Sequence, residues 1–270
     1  MDVHRQEGSV PHFLTRDNVS IHYRRSGDGP PLVFLHGLGA NLSCWRHQEA
    51  FFSARYTVVL LDLRGFGASD KPEDPGAYRV RCFAEDVHEL LLHVDISGVH
   101  LVGTSMGGYV AQQFALDYPE EVKSLVLCNT TCRRRVPPEL LRTRLDALER
   151  SDMREYARLV ASQALAPGAS NELLAEVIEM IARNDRAAYR TVIRSLTFDV
   201  CRQLTSIRAP VLLIGCDQDI VMPLDRLDEI RRFLPQARLE IIERCGHLPY
   251  MERPEIFNRT LASFLAEVSH

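Results

Sequence analysis

The chain of 270 residues contains no apolar run approaching the ~18 residues that span a bilayer, no sustained basic face, and no paired C-x-x-C spacing. Each absence excludes a class of function. A membrane partner is unsupported. With a formal net charge of -4, nucleic acid is unsupported too, because phosphate tracking needs many clustered cations. The one tight basic run, Arg133 to Arg135, reads as a solvated loop. The stretch MDVHRQEGSVPHF places charges where a secretory leader would need an apolar core, which predicts a cytoplasmic protein. Seven cysteines, at 44, 82, 128, 132, 201, 216 and 245, are odd in number and scattered. They are expected mostly as small buried hydrophobes rather than a zinc site or a disulfide framework. His88 and His93 stand five apart, not the three or four that share a helix face, so no metal site is expected.

What is present is a chain that is 46% hydrophobic and long enough for one large core, or a core plus a smaller unit. Strand-like runs alternate with helical patterns: VSIHYRRSG, PLVFLHG, YTVVLLDLRG, VHLVGTS, VKSLVLCNT, PVLLIGC and ARLEIIER. Such alternation predicts a mostly parallel sheet with helices on both faces. The pattern breaks between 132 and 199, where four stretches place apolar residues at helical spacing and no strand-like run occurs. This segment is expected as an all-helical cap, dividing the chain into a core of 1–131 and 200–270 and a lid of 132–199.

The stretch VHLVGTSMGGYVAQQFALDYP runs a buried strand directly into a helix and sets Ser105 at the corner. A nucleophile on such a tight turn is exposed above the sheet, and the positions two away must be small, here Gly103 and Gly107. Gly108 would let the helix approach the strand. Met106 then offers its backbone N–H at a helix amino terminus, where a developing oxyanion is held.

A serine hydroxyl needs a base, and the base needs a carboxylate to hold its tautomer. Among ten histidines, His4, His12, His22 and His270 lie near the termini, His47, His88 and His93 in helical patterns, and His100 at a strand start. His247 instead follows the last strand on a loop, where an open α/β sheet builds its site. In PVLLIGCDQDIVMP, Asp219 lies deeper in the loop and is the choice of acid; Asp217 remains an alternative and Asp199 a remoter one.

The order Ser, Asp, His on these loops, with FLHGLGAN, DLRGFGASDKP, GTSMGG, GCDQDIVMP and GHLPYMERPEIF in register, resembles the α/β-hydrolase family over nearly the whole chain. The resemblance implies an α/β-hydrolase fold and the triad Ser105, Asp219 and His247. It also implies a second oxyanion N–H from Leu38, a loop-shaping rather than basic role for His36 beside Gly37, and a bracing turn at Asp62, Arg64, Gly65 and Gly67. A serine at the elbow implies acyl chemistry without metal or organic cofactor, of the esterase and enol-lactonase kind. Carbon–carbon hydrolysis, perhydrolysis or a non-enzymatic ligand receptor are the alternatives. The expected partner is a small, largely apolar ester or lactone. Stripes including Leu145, Tyr156, Val160, Ile178 and Ile193 are expected to line the pocket in part, with few acids or bases facing inward.

Overall fold

The strand-like runs pair into one sheet in the computed structural model, which describes residues 11–268. His4, most of the stretch read for a leader, and His270 lie outside the described residues. The strands are β1 (His12–Leu14), β2 (Ser20–Ser26), β3 (Pro31–Leu35), β4 (Thr57–Leu61), β5 (Val99–Thr104), β6 (Val122–Cys128), β7 (Arg133–Arg134), β8 (Phe198–Asp199), β9 (Val211–Cys216) and β10 (Arg238–Ile242). Eight of them form a sheet in the order β1-β2-β4-β3-β5-β6-β9-β10. β2 runs antiparallel to β1 and β4, and the rest pair parallel.

Period-two alternation sends neighbouring side chains to opposite faces of this sheet. Val33, Leu35, Val59, Leu61, Leu101 and Leu213 join one apolar cluster, and Leu32, Phe34, Val58, Leu60, Val102 and Leu212 the other. Both faces are therefore dry, which is why β4 (TVVLL) and β5 (VHLVGT) are continuous runs buried at every position. The helices are α1 (Arg46–Phe52), α2 (Val80–His93), α3 (Met106–Asp117), α4 (Pro138–Arg150), α5 (Met153–Ala164), α6 (Asn171–Ala182), α7 (Arg186–Ser195), α8 (Asp225–Arg231), α9 (Pro249–Glu252) and α10 (Pro254–Val268). Apolar residues of α2, α3 and α8 pack into the first cluster, and those of α1 and α10 into the second.

Helices α4 to α7 occupy the insertion between β6 and β9, and local chemistry starts each of them. Pro138 opens α4, Asp152 and Glu155 form a reciprocal capping box on α5, and Ser170 and Asp185 cap α6 and α7 through their side-chain oxygens. Their apolar stripes are shared between the two clusters: Leu148 and Val192 in the first, Ala161 and Val177 in the second. The insertion thus packs onto both sides of the sheet's end.

Three features at its roots depart from expectation. The insertion is not wholly helical, because Arg133 and Arg134 pair antiparallel with Asp199 and Phe198. Two-residue strands are too short to register as a periodic pattern. Next to this ribbon, Cys132 and Cys201 form a disulfide across 69 residues of sequence, which corrects the expectation of independent thiols. No short spacing announces the pair, since the insertion folds back and brings its own two ends together. Finally, the Arg133–Arg135 run is not simply a solvated loop: Arg133 pairs with Asp199 (2.8 Å) and Glu229 (3.5 Å), and Arg134 is half-buried. The tertiary fold supplies those partners from β8 and α8. Among the described residues, no helix is long and apolar enough to cross a membrane.

The sheet order also places the site. After β3 the chain steps outward to β4, and then returns to the opposite side of β3 to lay down β5, so the loops leaving β3 and β5 diverge in opposite directions. A crevice opens at that switch point, beyond the carboxyl ends of the strands. The register sets Leu35 beside Gly103, Thr104 beside Cys128, Cys128 beside Ile214 and Cys216 beside Ile242. The segments carrying Gly37, Ser105, Asp219 and His247 all emerge from this one edge.

Candidate active site

At Ser105 the chain turns from β5 into α3 with φ 52° and ψ -118°. Such a conformation at a residue other than glycine costs on the order of 1–3 kcal/mol, and packing must over-determine it. A Cβ on Gly103 would lie 2.3 Å from the Gly107 carbonyl oxygen, and one on Gly107 would lie 2.2 Å from that of Leu35. Strand, elbow and helix therefore meet backbone to backbone. The Ser105 N–H donates to the Cys128 carbonyl (3.0 Å), and the Ser105 carbonyl accepts from the Gly108 N–H (3.0 Å) and the Thr130 hydroxyl (2.7 Å). Met106 is the first residue of α3, where an amide has no intrahelical acceptor.

The facing loop is shaped by His36, which is fully buried and whose pKa burial lowers. Its Nε2 accepts from the Leu63 N–H (3.0 Å), so the proton resides on Nδ1, which donates to the Gly37 carbonyl (2.8 Å). With the Ala40 N–H on the same oxygen (3.2 Å), this fixes the Gly37–Leu38 peptide. A Cβ on Gly37 would come within 3.2 Å of Ser105 Cβ, so the loop abuts the elbow. Asp62 braces the turn from behind, accepting from the Leu42 (2.7 Å) and Ala68 (2.8 Å) amides and meeting His22 Nδ1 at 2.6 Å. Arg64 is clamped between Asp86 (2.6 Å) and Asp17 (2.9 Å).

His247 Nδ1 meets Asp219 Oδ2 at 2.7 Å, and both residues are buried. The other oxygen of Asp219 accepts from the Val221 and Met222 amides, each at 2.8 Å, which aims the carboxylate at the ring. Asp217 turns instead to the Cys245 N–H (3.2 Å), and Asp199 to Arg133. His88 stacks on Tyr118, and His93 on Phe13, far from this edge in sequence and packing. Three supporting groups were not singled out from the sequence. Glu252 accepts from the Gly246, Leu248 and Ala166 amides, and His247 N–H donates to the Ala164 carbonyl (2.6 Å), so the histidine loop is knotted to the end of α5. The only signal was an acid in the turn opened by Pro249. Trp45 packs between Phe34 (4.9 Å) and Tyr250 (4.2 Å), joining the β3 side to the histidine side.

Ser105, His247, Gly37, Leu38 and Met106 line one cavity of about 290 Å³ roofed by the insertion. Tyr156, Val160 and Ile193 contribute to that roof, whereas Leu145 and Ile178 pack elsewhere. Two further bases line the cavity where few were expected, the half-buried Arg134 from β7 and the exposed Arg144 from α4. Arg134 donates to the Ile193 carbonyl (3.0 Å) and to that of Leu196 at the end of α7. Burial lowers its pKa, and Arg144 adds to this. A larger cleft of about 520 Å³, near Arg46, Glu176 and Arg244, contains none of the elbow or histidine groups. The one grouping of three metal-capable side chains among the described residues is Cys132, Cys201 and Glu229, and its two sulfurs are already bonded to each other.

The model of the alpha/beta hydrolase fold matches residues 30–176 and 178–254. The chain belongs to the α/β-hydrolase family. This α/β-hydrolase is 30% identical to 3-oxoadipate enol-lactonase 2 of Acinetobacter baylyi over 95% of its length and 98% of that protein. It is 34% identical to the 2-hydroxy-6-oxononadienedioate/2-hydroxy-6-oxononatrienedioate hydrolase of Paraburkholderia phymatum, over 92% of each. The enol-lactonase from Burkholderia xenovorans superposes with a TM-score of 0.88 at 25% identity, over 95% of this chain and all of that one.

Proposed function

We propose that this α/β-hydrolase is a serine hydrolase that cleaves a small carboxylic ester or lactone through an acyl-enzyme. One observation carries the reading. A half-buried serine on the strand-to-helix elbow shares a cavity with a histidine whose far nitrogen is held by a buried carboxylate at 2.7 Å. In this mechanism Ser105 Oγ attacks the carbonyl carbon while His247 Nε2 takes the hydroxyl proton. Asp219 keeps the other ring nitrogen protonated and stabilises the imidazolium that forms. The Leu38 and Met106 amides hold the oxyanion, which becomes bound more tightly than the ground-state carbonyl. His247 then returns the proton to the leaving alkoxide, or to the opened enolate of a lactone. Water, deprotonated by His247, releases the acid.

The similarity to an enol-lactonase over almost the whole chain supports this substrate class. The Paraburkholderia relative supports a second reading, with the same three residues acting on a 2-hydroxy-6-oxo dienedioate. A panel of esters, lactones and that dienedioate, run with the wild type and Ser105→Ala, separates them. The expected result is ester or lactone turnover that disappears in the variant, with covalent organophosphate labelling confined to the peptide around Ser105. Turnover retained in Ser105→Ala would overturn the mechanism, and activity on the dienedioate alone would select the second reading.

A further inference from the structure

The cavity over Ser105 carries an uncompensated charge. Its lining contains Arg134, Arg144 and His247 but no aspartate or glutamate, in a chain whose net charge is -4. Most ion pairs among the described residues pair an arginine with an acid, yet neither Arg134 nor Arg144 takes part in one. The contrast with the adjacent Arg133 is direct, since that side chain meets both Asp199 and Glu229.

The two guanidiniums are also held differently. Arg134 is half-buried and anchored at the carboxyl end of α7, where backbone carbonyls favour a cation, and this leaves part of its five-donor fork uncommitted. Arg144 stands exposed at the mouth, one turn along α4 from Leu140, which also lines the cavity. Both line the same cavity as Tyr109, and each, like Arg226 outside it, acts electrostatically on that buried hydroxyl. Two like charges lining a largely apolar pocket repel each other, as Arg144 does Arg134, and an anion bound between them would relieve this. Planar, forked donors suit a carboxylate.

We propose that Arg134 and Arg144 form a carboxylate subsite at the insertion side of the Ser105 cavity, so that the substrate is an ester or lactone bearing a free carboxylate. This rests on Ser105 being the nucleophile. The carboxylate docks on the arginines and the reacting carbonyl is presented to the elbow, so specificity comes from charge as well as from the apolar roof.

Two matched substrate pairs test the subsite. One is mono(4-nitrophenyl) adipate against its methyl ester, with the charge on the acyl side; the other is 4-acetoxybenzoate against methyl 4-acetoxybenzoate, with the charge on the leaving group. In at least one pair, the wild type should favour the anionic member by about tenfold or more in kcat/KM, mainly through KM. Arg144→Gln and Arg134→Gln should each reduce that preference by about tenfold, whereas Arg150→Gln, on the same helix but outside the cavity, should leave it in place. Calorimetry with adipate on Ser105→Ala gives a readout free of turnover: binding to that protein should be lost on adding Arg144→Gln. No preference in either pair, or a preference indifferent to both arginines, would overturn the subsite while leaving the serine mechanism standing. Turnover of both members by Ser105→Ala would overturn the mechanism itself.

Discussion

Replacing Cys201 by serine opens the covalent clamp at the base of the insertion. The bond joins residues 69 apart, and both cysteines are fully buried. In the folded state the β7–β8 ribbon and the Val200 N–H to Cys132 carbonyl bond (2.9 Å) already hold the two roots together, so the native structure loses little. The unfolded chain gains far more, because a loop of that length is no longer closed. Chain-entropy scaling puts the gain near 15 cal/mol/K, or about 4 kcal/mol at 25 °C, a large share of the stability of an ordinary domain. Urea unfolding of the oxidised wild type, the reduced wild type and Cys201→Ser should show the first more stable by about that amount and the other two nearly equal. Thiol titration in denaturant should find five reactive cysteines in the oxidised protein and seven after reduction. Seven thiols without reductant, or equal midpoints for all three samples, would refute the reasoning.

The choice between the two loop acids is tested by Asp219→Asn, which should lower kcat by up to ~10⁴ because the amide favours the wrong histidine tautomer; Asp217→Asn, which loosens only a loop contact to the Cys245 amide, should not. A reversed order in steady-state assays would reassign the acid. Burial, reinforced by Lys123, lowers the His100 pKa from 6.5 to about 4. Above pH 6.5 neither state is protonated at His100, and between 6.5 and 4 the unfolded chain binds a proton that the folded chain refuses. Stability should therefore fall across that window, by on the order of 2 kcal/mol after allowance for screening. His100→Asn should flatten the acid limb of a stability-against-pH curve, and an unchanged slope would remove His100 as its source.

Much of the molecule is legible from local chemistry. Glycines at 103 and 107 around one serine specify a turn that other residues cannot make, because a Cβ at either position would strike backbone within 2.3 Å. Continuous apolar runs such as TVVLL announce strands covered on both faces, and capping residues such as Asp152 and Ser170 announce helix starts. These signals depend on neighbours within a few residues, so they survive in one dimension. The same holds for the placement of Asp219 and His247 on loops after strands, though not for which acid reaches the ring. That was decided by the Val221 and Met222 amides turning one carboxylate inward while the Cys245 amide drew off the other.

Long-range pairing was invisible for the same reason. Cys132 and Cys201 lie 69 residues apart, and Glu252 and Ala166 lie 86 apart. Nothing local to either partner encodes the other, because each contact exists only once the insertion has folded back over the sheet. The fate of Arg133 and Arg134 shows this most clearly. As sequence they are two equal charges in a basic run, but the antiparallel ribbon points one at Asp199 and Glu229 and the other into the cavity above Ser105. Composition determined that the charges exist; only the alternation of a two-residue strand in its tertiary setting decided which of them is neutralised and which lines the cavity over Ser105.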